Sequence, residues 1–152
     1  MKHYLKHLFG IISILILLVA CKQSAPNVSA VGEAPISSET NVDNSALIDA
    51  YKNKKSDIFV EGSGTVKKLL ADDNKGSRHQ KFLVTVSAEQ TLLFAHNIDL
   101  APRVENLQIG DAVTFRGEYV YNPKGGVMHW THHDPQGGGK FGWIQHNGKK
   151  YE

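Results

Sequence analysis

The chain has 152 residues, 41% of them hydrophobic and 21% charged, with 17 basic against 15 acidic side chains. That is enough for one modest domain. A balance so near neutral excludes the broad basic field that non-specific nucleic-acid binding relies on, and a single cysteine, Cys21, excludes an internal disulfide or a cysteine-pair metal motif.

The N-terminus is a targeting segment. Lys2 and Lys6 precede an uncharged run of 13 residues, Leu8–Ala20, apolar but for Ser13. A bilayer span needs about 20, so this length suits a signal-peptide core. The run ends in Leu18-Val19-Ala20-Cys21, which looks like a bacterial lipobox and implies diacylglyceryl transfer to the Cys21 thiol, cleavage before it and acylation of the new amine. Two or three acyl chains hold a protein on a membrane where one is marginal. Lys22 rather than Asp after the cysteine favours the outer membrane, facing the periplasm, in a cell that has one. Without Lys2 and Lys6 the basic residues fall from 17 to 15, so the mature chain is neutral. Residues 1–20 are therefore expected to be signal peptide and 21–44 lipidated cysteine and tether. The tether is rich in Ser, Ala, Asn, Val, Pro and Glu without sustained period, a composition that suits a disordered spacer.

The folded domain is expected over residues 45–152. Ser45–Ser56 reads as a short helix, capped by Asn44 or Ser45 and buried along Ala46, Leu47, Ala50 and Tyr51. The pattern then turns to strands. Phe59–Leu70 alternates weakly, and Gly62 and Gly64 suggest a bulge or bend. His79–Val86 and Thr91–His96 are strands, the second with Leu92, Phe94 and His96 on one face. Asn97–Leu107 is a loop with one helical turn. Ala112–Tyr121 alternates cleanly, Asn122–Gly126 is a hairpin turn, and Val127–His132 is the last clear strand, with His129 following Val127 onto the core-facing side. Phe141–Glu152 closes the chain as strand or coil. The fold class is mostly β: a small five-stranded OB-like barrel, with the third-to-fourth connection where an OB-fold places its helix. An SH3-like barrel or an open meander are the alternatives.

Polar residues recur at strand ends: Arg78, His79 and Gln80; His96, Asn97 and Asp99, then Arg103; Glu118 and Tyr119 with Asn122; and His129, Trp130, Thr131, His132, His133 and Asp134. Regular alternation sends His129, Thr131 and His133 to one face and Trp130, His132 and Asp134 to the other. His79, His96 and part of the 129–133 group are expected to gather at one end of the barrel. Three uses follow. A Zn or Fe site draws on His79, His96, His129, His132 and His133, although their spacing matches no tight ligand motif. An acid–base site draws on His96 or His132 with Asp99 or Asp134 as the orienting carboxylate, and lacks an activated Ser or Cys, so it would have to activate water. A binding site for a saccharide, peptide or nucleic acid uses these residues with Arg78, Arg103, Glu118, Asn122 and Trp130, helped by Tyr119, Tyr121, Trp143 and Arg116. The competing reading is that the polar groups satisfy one another and the loop backbone.

The strings Arg78–Phe82, Thr91–Val104, Gly117–Tyr119 with Asn122, and Gly125–Pro135 (GGVMHWTHHDP) resemble the DUF3465 family of bacterial proteins, over about Phe59–Tyr151. The family is one of unknown function, so the resemblance implies a shared domain and no activity. Two positions depart from its expected pattern. Val120-Tyr121 stands in place of an acidic-aromatic pair, and Lys140 in place of a His, which weakens a metal site if that His is a ligand. Together these readings lead to the expectation of an envelope lipoprotein binding an extracytoplasmic ligand at a polar barrel rim, with a metal- or His-assisted hydrolase, phosphodiesterase- or nuclease-like, as the alternative.

Overall fold

The computed structural model describes residues 42–152. The expected signal peptide, Cys21 and nearly all of the expected tether lie outside the described residues. Helix α1 (Ser45–Lys52) is followed by strands β1 (Ile58–Leu69), β2 (His79–Thr85), β3 (Thr91–Asn97), β4 (Ala112–Val120), β5 (Val127–His129), β6 (Trp143–His146) and β7 (Lys149–Tyr151).

Five strands close on themselves. The order runs β1-β2-β3-β5-β4, and β4 pairs back onto β1. All pairings around this ring are antiparallel except β3–β5, which is parallel. That is the OB-like barrel expected from the alternation. β1 makes closure possible by serving two partners: Ile58–Thr65 pair with β4 and Thr65–Leu69 with β2. Its bulge lies between Val66 and Lys68, beyond the glycines. Gly62 and Gly64 serve close packing instead: a Cβ on Gly64 would stand 2.5 Å from the Thr85 carbonyl oxygen. The C-terminal stretch is a hairpin, β6–β7, added to the β4 edge.

The core is the inward row of each strand. Phe82, Val84, Leu92, Phe94, Phe115, Tyr119, Met128 and Ile144 are fully buried. Phe82 stacks on its cross-strand partner Phe94 at 4.9 Å, and Phe94 meets Phe115 edge-on at 4.9 Å, the arrangements that aromatic quadrupoles favour. Leu47 and Ala50 carry α1 into the same cluster.

Three local expectations change. The helix stops at Lys52, and Asn44 does not cap it. The Asn44 amide donates to Ser63 O (2.9 Å) and Val86 O (3.0 Å) and accepts from Ser63 N (2.8 Å), pinning the helix start to the barrel, while Asp43 takes the Ser45 N–H (2.8 Å). The β3–β4 connection is the expected loop, its one helical turn closed by Ala101 N–H to Asn97 O at 3.1 Å. β5 is inverted: Met128 is the buried residue, and Val127 and His129 face outward. β5 also ends at His129, because Trp130 turns to φ +51°.

Candidate functional site

The break at Trp130 builds the site. A left-handed φ on a tryptophan is costly and persists only where the surroundings impose it. Here they do. The chain must leave the sheet so that residues 141–143 can return across 130–131 to start β6. Gly142 makes the crossing: a Cβ there would lie 2.0 Å from the Trp130 carbonyl oxygen and 2.7 Å from that of Arg116. Gly142 N–H donates to His132 O at 2.9 Å. Because the alternation is broken, Thr131 turns inward and is fully buried, filling space that Gly117 leaves open: a Cβ on Gly117 would meet Thr131 Cγ2 at 2.9 Å.

Thr131 reaches His96, which sits in the core, not at the rim. Its Nε2 lies 3.0 Å from Pro102 O and its Nδ1 2.8 Å from Thr131 Oγ1. A carbonyl only accepts, so Nε2 carries the proton and Nδ1 accepts from the threonine hydroxyl. Burial pushes this imidazole down to about 4. Both nitrogens are committed, which leaves no lone pair for a metal or a substrate proton. His79 and His132 lie near enough that their charged forms further oppose its protonation.

The polar groups that stay available face outward from β1, β4 and β5. Phe59, Glu118 and His129 form one row across these three strands. Glu118 is only 8% exposed, and a carboxylate so far out of water needs a compensating charge. Lys140 Nζ stands 3.7 Å from Oε1 and His129 Nε2 3.8 Å from Oε2, both beyond good hydrogen-bond length. Burial lowers the His129 pKa despite the raising effect of Glu118 and Asp57, so at neutral pH the counter-charge on Glu118 comes from Lys140. Lys140 also lies over the Trp130 ring (5.3 Å) and the Phe59 ring (5.8 Å). Beside them Arg116 spans Phe141 (4.6 Å) and Glu61 (3.1 Å). The Trp130 indole N–H is buried without a hydrogen-bond partner. His132 stacks on Trp130 at 5.2 Å, and its Nδ1 donates to His133 O at 2.7 Å, so the neutral ring presents its lone pair at Nε2.

The other candidates disperse. His133 turns away to Glu152 (3.3 Å) and Phe141. Asp134 accepts from Gln136 N (2.9 Å) and Gly138 N (2.8 Å), closing its own turn. Asp99 accepts from Arg78 N (2.7 Å) and Nε (2.6 Å), which hold its carboxyl below the usual range, and Asn97 bonds Asp99 N. Neither aspartate orients a histidine; carboxylates meet imidazoles at Glu118–His129, at His133–Glu152 and at the buried His146–Asp111 pair (2.7 Å). Arg103 pairs with Asp72 beside a cleft of about 520 Å³ floored by Leu69, Leu70, Val104 and Leu107, away from Glu118. Asn122 caps the distant β4–β5 hairpin through Lys124 N and Gly126 N. Among the described residues, no three His, Cys, Asp or Glu side chains stand close enough to hold a metal ion.

Two members of the cluster, Phe59 and Lys140, are not singled out as site residues by the sequence pattern, although signals for them are present. Phe59 is a large apolar residue out of phase with the buried Val60 and Val66, and Gly142, two residues after Lys140, marks a crossing of two backbones.

The chain gave no match among curated proteins or solved structures. A family model described as "Protein of unknown function (DUF3465)" matches residues 29–152, which takes in every residue of the barrel and the site, and the chain belongs to that family.

Proposed function

We propose that this chain is an envelope lipoprotein, anchored through Cys21, whose barrel binds an extracytoplasmic ligand on the outward face around Glu118, His129, Trp130 and His132. The observation that carries the reading is Glu118: a carboxylate on a side chain 11% exposed, whose charged neighbours stand 3.7 and 3.8 Å away. The unpartnered Trp130 N–H sits in the same cluster. The Trp130 N–H has no partner within the chain, and the Glu118 oxygens stand beyond hydrogen-bond length of Lys140 and His129, so both can take a bond from another molecule. Flanking rings add stacking surface, and the neutral mature charge favours a locally recognised ligand over a polyanion held by long-range field. The anchor in this reading is the lipid on Cys21; among the described residues no helix is long and apolar enough to cross a membrane.

The test is a defined panel: a disaccharide-peptide from peptidoglycan, neutral oligosaccharides, short peptides and single-stranded oligonucleotides, titrated into the mature protein. One class binds saturably, and Glu118→Gln weakens that binding at least tenfold. No saturable binding from any class, or full affinity in Glu118→Gln, overturns the reading. For the anchor, Cys21→Ser releases the protein from membranes or stalls its processing, and unchanged membrane retention contradicts it.

A hydrolase is the second reading, supported by one feature: the His133 carbonyl fixes the His132 tautomer and leaves Nε2 as a base. Turnover of bis(p-nitrophenyl) phosphate, lost in His132→Ala, would favour it.

A further inference from the structure

Lys140 occupies a position that a ligand could fill. Its ammonium nitrogen is bounded on three sides: Glu118 Oε1 at 3.7 Å, the Trp130 ring at 5.3 Å and the Phe59 ring at 5.8 Å. Two aromatic faces within about 6 Å and one carboxylate are the elements that recognise organic cations. The walls are framework residues. Phe59 and Glu118 are register partners on β1 and β4, and Trp130 is held by the backbone crossing at Gly142. The occupant is less constrained. The Lys140 side chain is 53% exposed against 11% for Glu118. It hangs from the end of a loop, Asp134–Lys140, in which Gly137 and Gly139 (φ +71° and +79°) have open space where a side chain would be.

We infer that Phe59, Glu118 and Trp130 form a receptor for an organic ammonium ion, with a quaternary ammonium group as the best fit, and that Lys140 is a built-in occupant that a ligand must displace. This rests on the site proposed above and specifies the ligand's chemistry. The quaternary preference comes from the 3.7 Å separation. A primary ammonium held at its carboxylate would sit at hydrogen-bond distance, about 2.7–2.9 Å. At 3.7 Å the attraction is charge and ring contact without a hydrogen bond, the interaction that a methylated nitrogen can make. Displacement needs no change in the barrel. The lysine stem has rotatable bonds to swing outward, and a cleft of about 330 Å³ bordered by Lys140, Phe141, His133 and Asp134 adjoins it. Arg116, the other cation over Phe59, is held to Glu61 at 3.1 Å and to Phe141 O at 3.0 Å, so it stays in place when Lys140 leaves.

The experiment is a titration of choline into the mature wild type, Lys140→Ala, and Lys140→Ala/Glu118→Gln, followed by the Trp130 indole N–H signal in ¹H–¹⁵N spectra. The neutral isostere 3,3-dimethylbutan-1-ol and n-butylammonium are the comparison ligands. Lys140→Ala is expected to bind choline at least tenfold more tightly than wild type, more tightly than n-butylammonium, and to ignore the neutral isostere. Adding Glu118→Gln returns the affinity to the wild-type level or below. The inference is overturned if Lys140→Ala gains no choline affinity, if the neutral isostere binds equally, or if Glu118→Gln leaves binding intact in a protein whose spectrum shows it folded. Should choline fail while Glu118→Gln still weakens a ligand of the wider panel, the ammonium chemistry is wrong and the binding site stands.

Discussion

At the scale of single residues, four histidines expected to gather at one end of the barrel have three different fates. His96 is a core group with both nitrogens bonded, His129 and His132 border Glu118 and Trp130, and His133 joins the C-terminus. The first fate has a measurable sign. In the folded chain His96 titrates at about 4, against about 6.5 in an unfolded chain. The unfolded state therefore binds the extra proton as pH falls through 6.5. The His96 contribution to stability is fully present above 6.5 and is lost progressively down to about 4, in total on the order of 3 kcal/mol. Urea midpoints between pH 7 and 4 are expected to show this fall, and His96→Gln to flatten it. The half-buried His129, also depressed by burial, adds a smaller effect of the same sign. Asp99 does not blur the window, because its depressed carboxyl loses its contribution only below the usual aspartate range, near 3.8. A midpoint unchanged from pH 7 to 4 would contradict a neutral, buried His96.

At the scale of elements, the inward rows of β2, β3 and β4 are legible from alternation, since Phe82, Val84, Leu92, Phe94, Val113, Phe115 and Tyr119 repeat every second residue and all are buried. β5 is not. Three residues long, it carries too little period to settle its phase, and the Trp130 turn makes the next residues unpredictable from alternation. The glycines hold the missing information. Gly117 and Gly142 pack against backbone or side chains across the 129–132 segment, a fact about space that a linear pattern does not encode. Gly142→Ala must push two backbones apart. Overpacking of this kind costs about 1–3 kcal/mol and sometimes more, so its thermal midpoint should drop by roughly 4–8 °C for each kcal/mol of destabilisation, with Trp130 and Thr131 displaced and Lys140 no longer over the indole. Gly137→Ala meets no atoms within 4 Å but carries the strain of φ +71°, and its cost should stay near ~1 kcal/mol. Equal melting of the two variants would show that the crossing does not hold the site.

At the scale of the whole molecule, the barrel is closed by β1 sharing itself between β2 and β4, around a single aromatic core. That closure is readable from the strand count, whereas the irregularity of the first strand lies between Val66 and Lys68 and not at Gly62 and Gly64. The site is readable only in part, because it is built on the outer face, where β1, β4, β5 and the returning 140–142 segment meet. Residues distant in sequence, Phe59, Glu118, Trp130 and Lys140, come together by topology, whereas the rim grouping expected from strand ends brings in Arg78, Asp99, Asn122 and Asp134, which the structure uses to tie turns and loops. Core and site are separable in consequence. Phe94→Ala empties the stack between Phe82 and Phe115 and should cost about 3–5 kcal/mol in denaturant titration. Glu118→Gln, at the surface of the same barrel, is expected to leave the midpoint within about 1 kcal/mol of wild type or raise it, since it removes a poorly compensated buried charge.

The Trp130 indole N–H is the most direct reporter of the central claim, that the outward face around Glu118 binds a ligand. Its ¹H–¹⁵N signal, followed beside that of Trp143 during titration with any ligand the mature protein binds, should shift on binding while Trp143 holds its position. Saturable binding that moves Trp143 alone, or leaves both indoles unmoved, would place the ligand elsewhere and contradict the account.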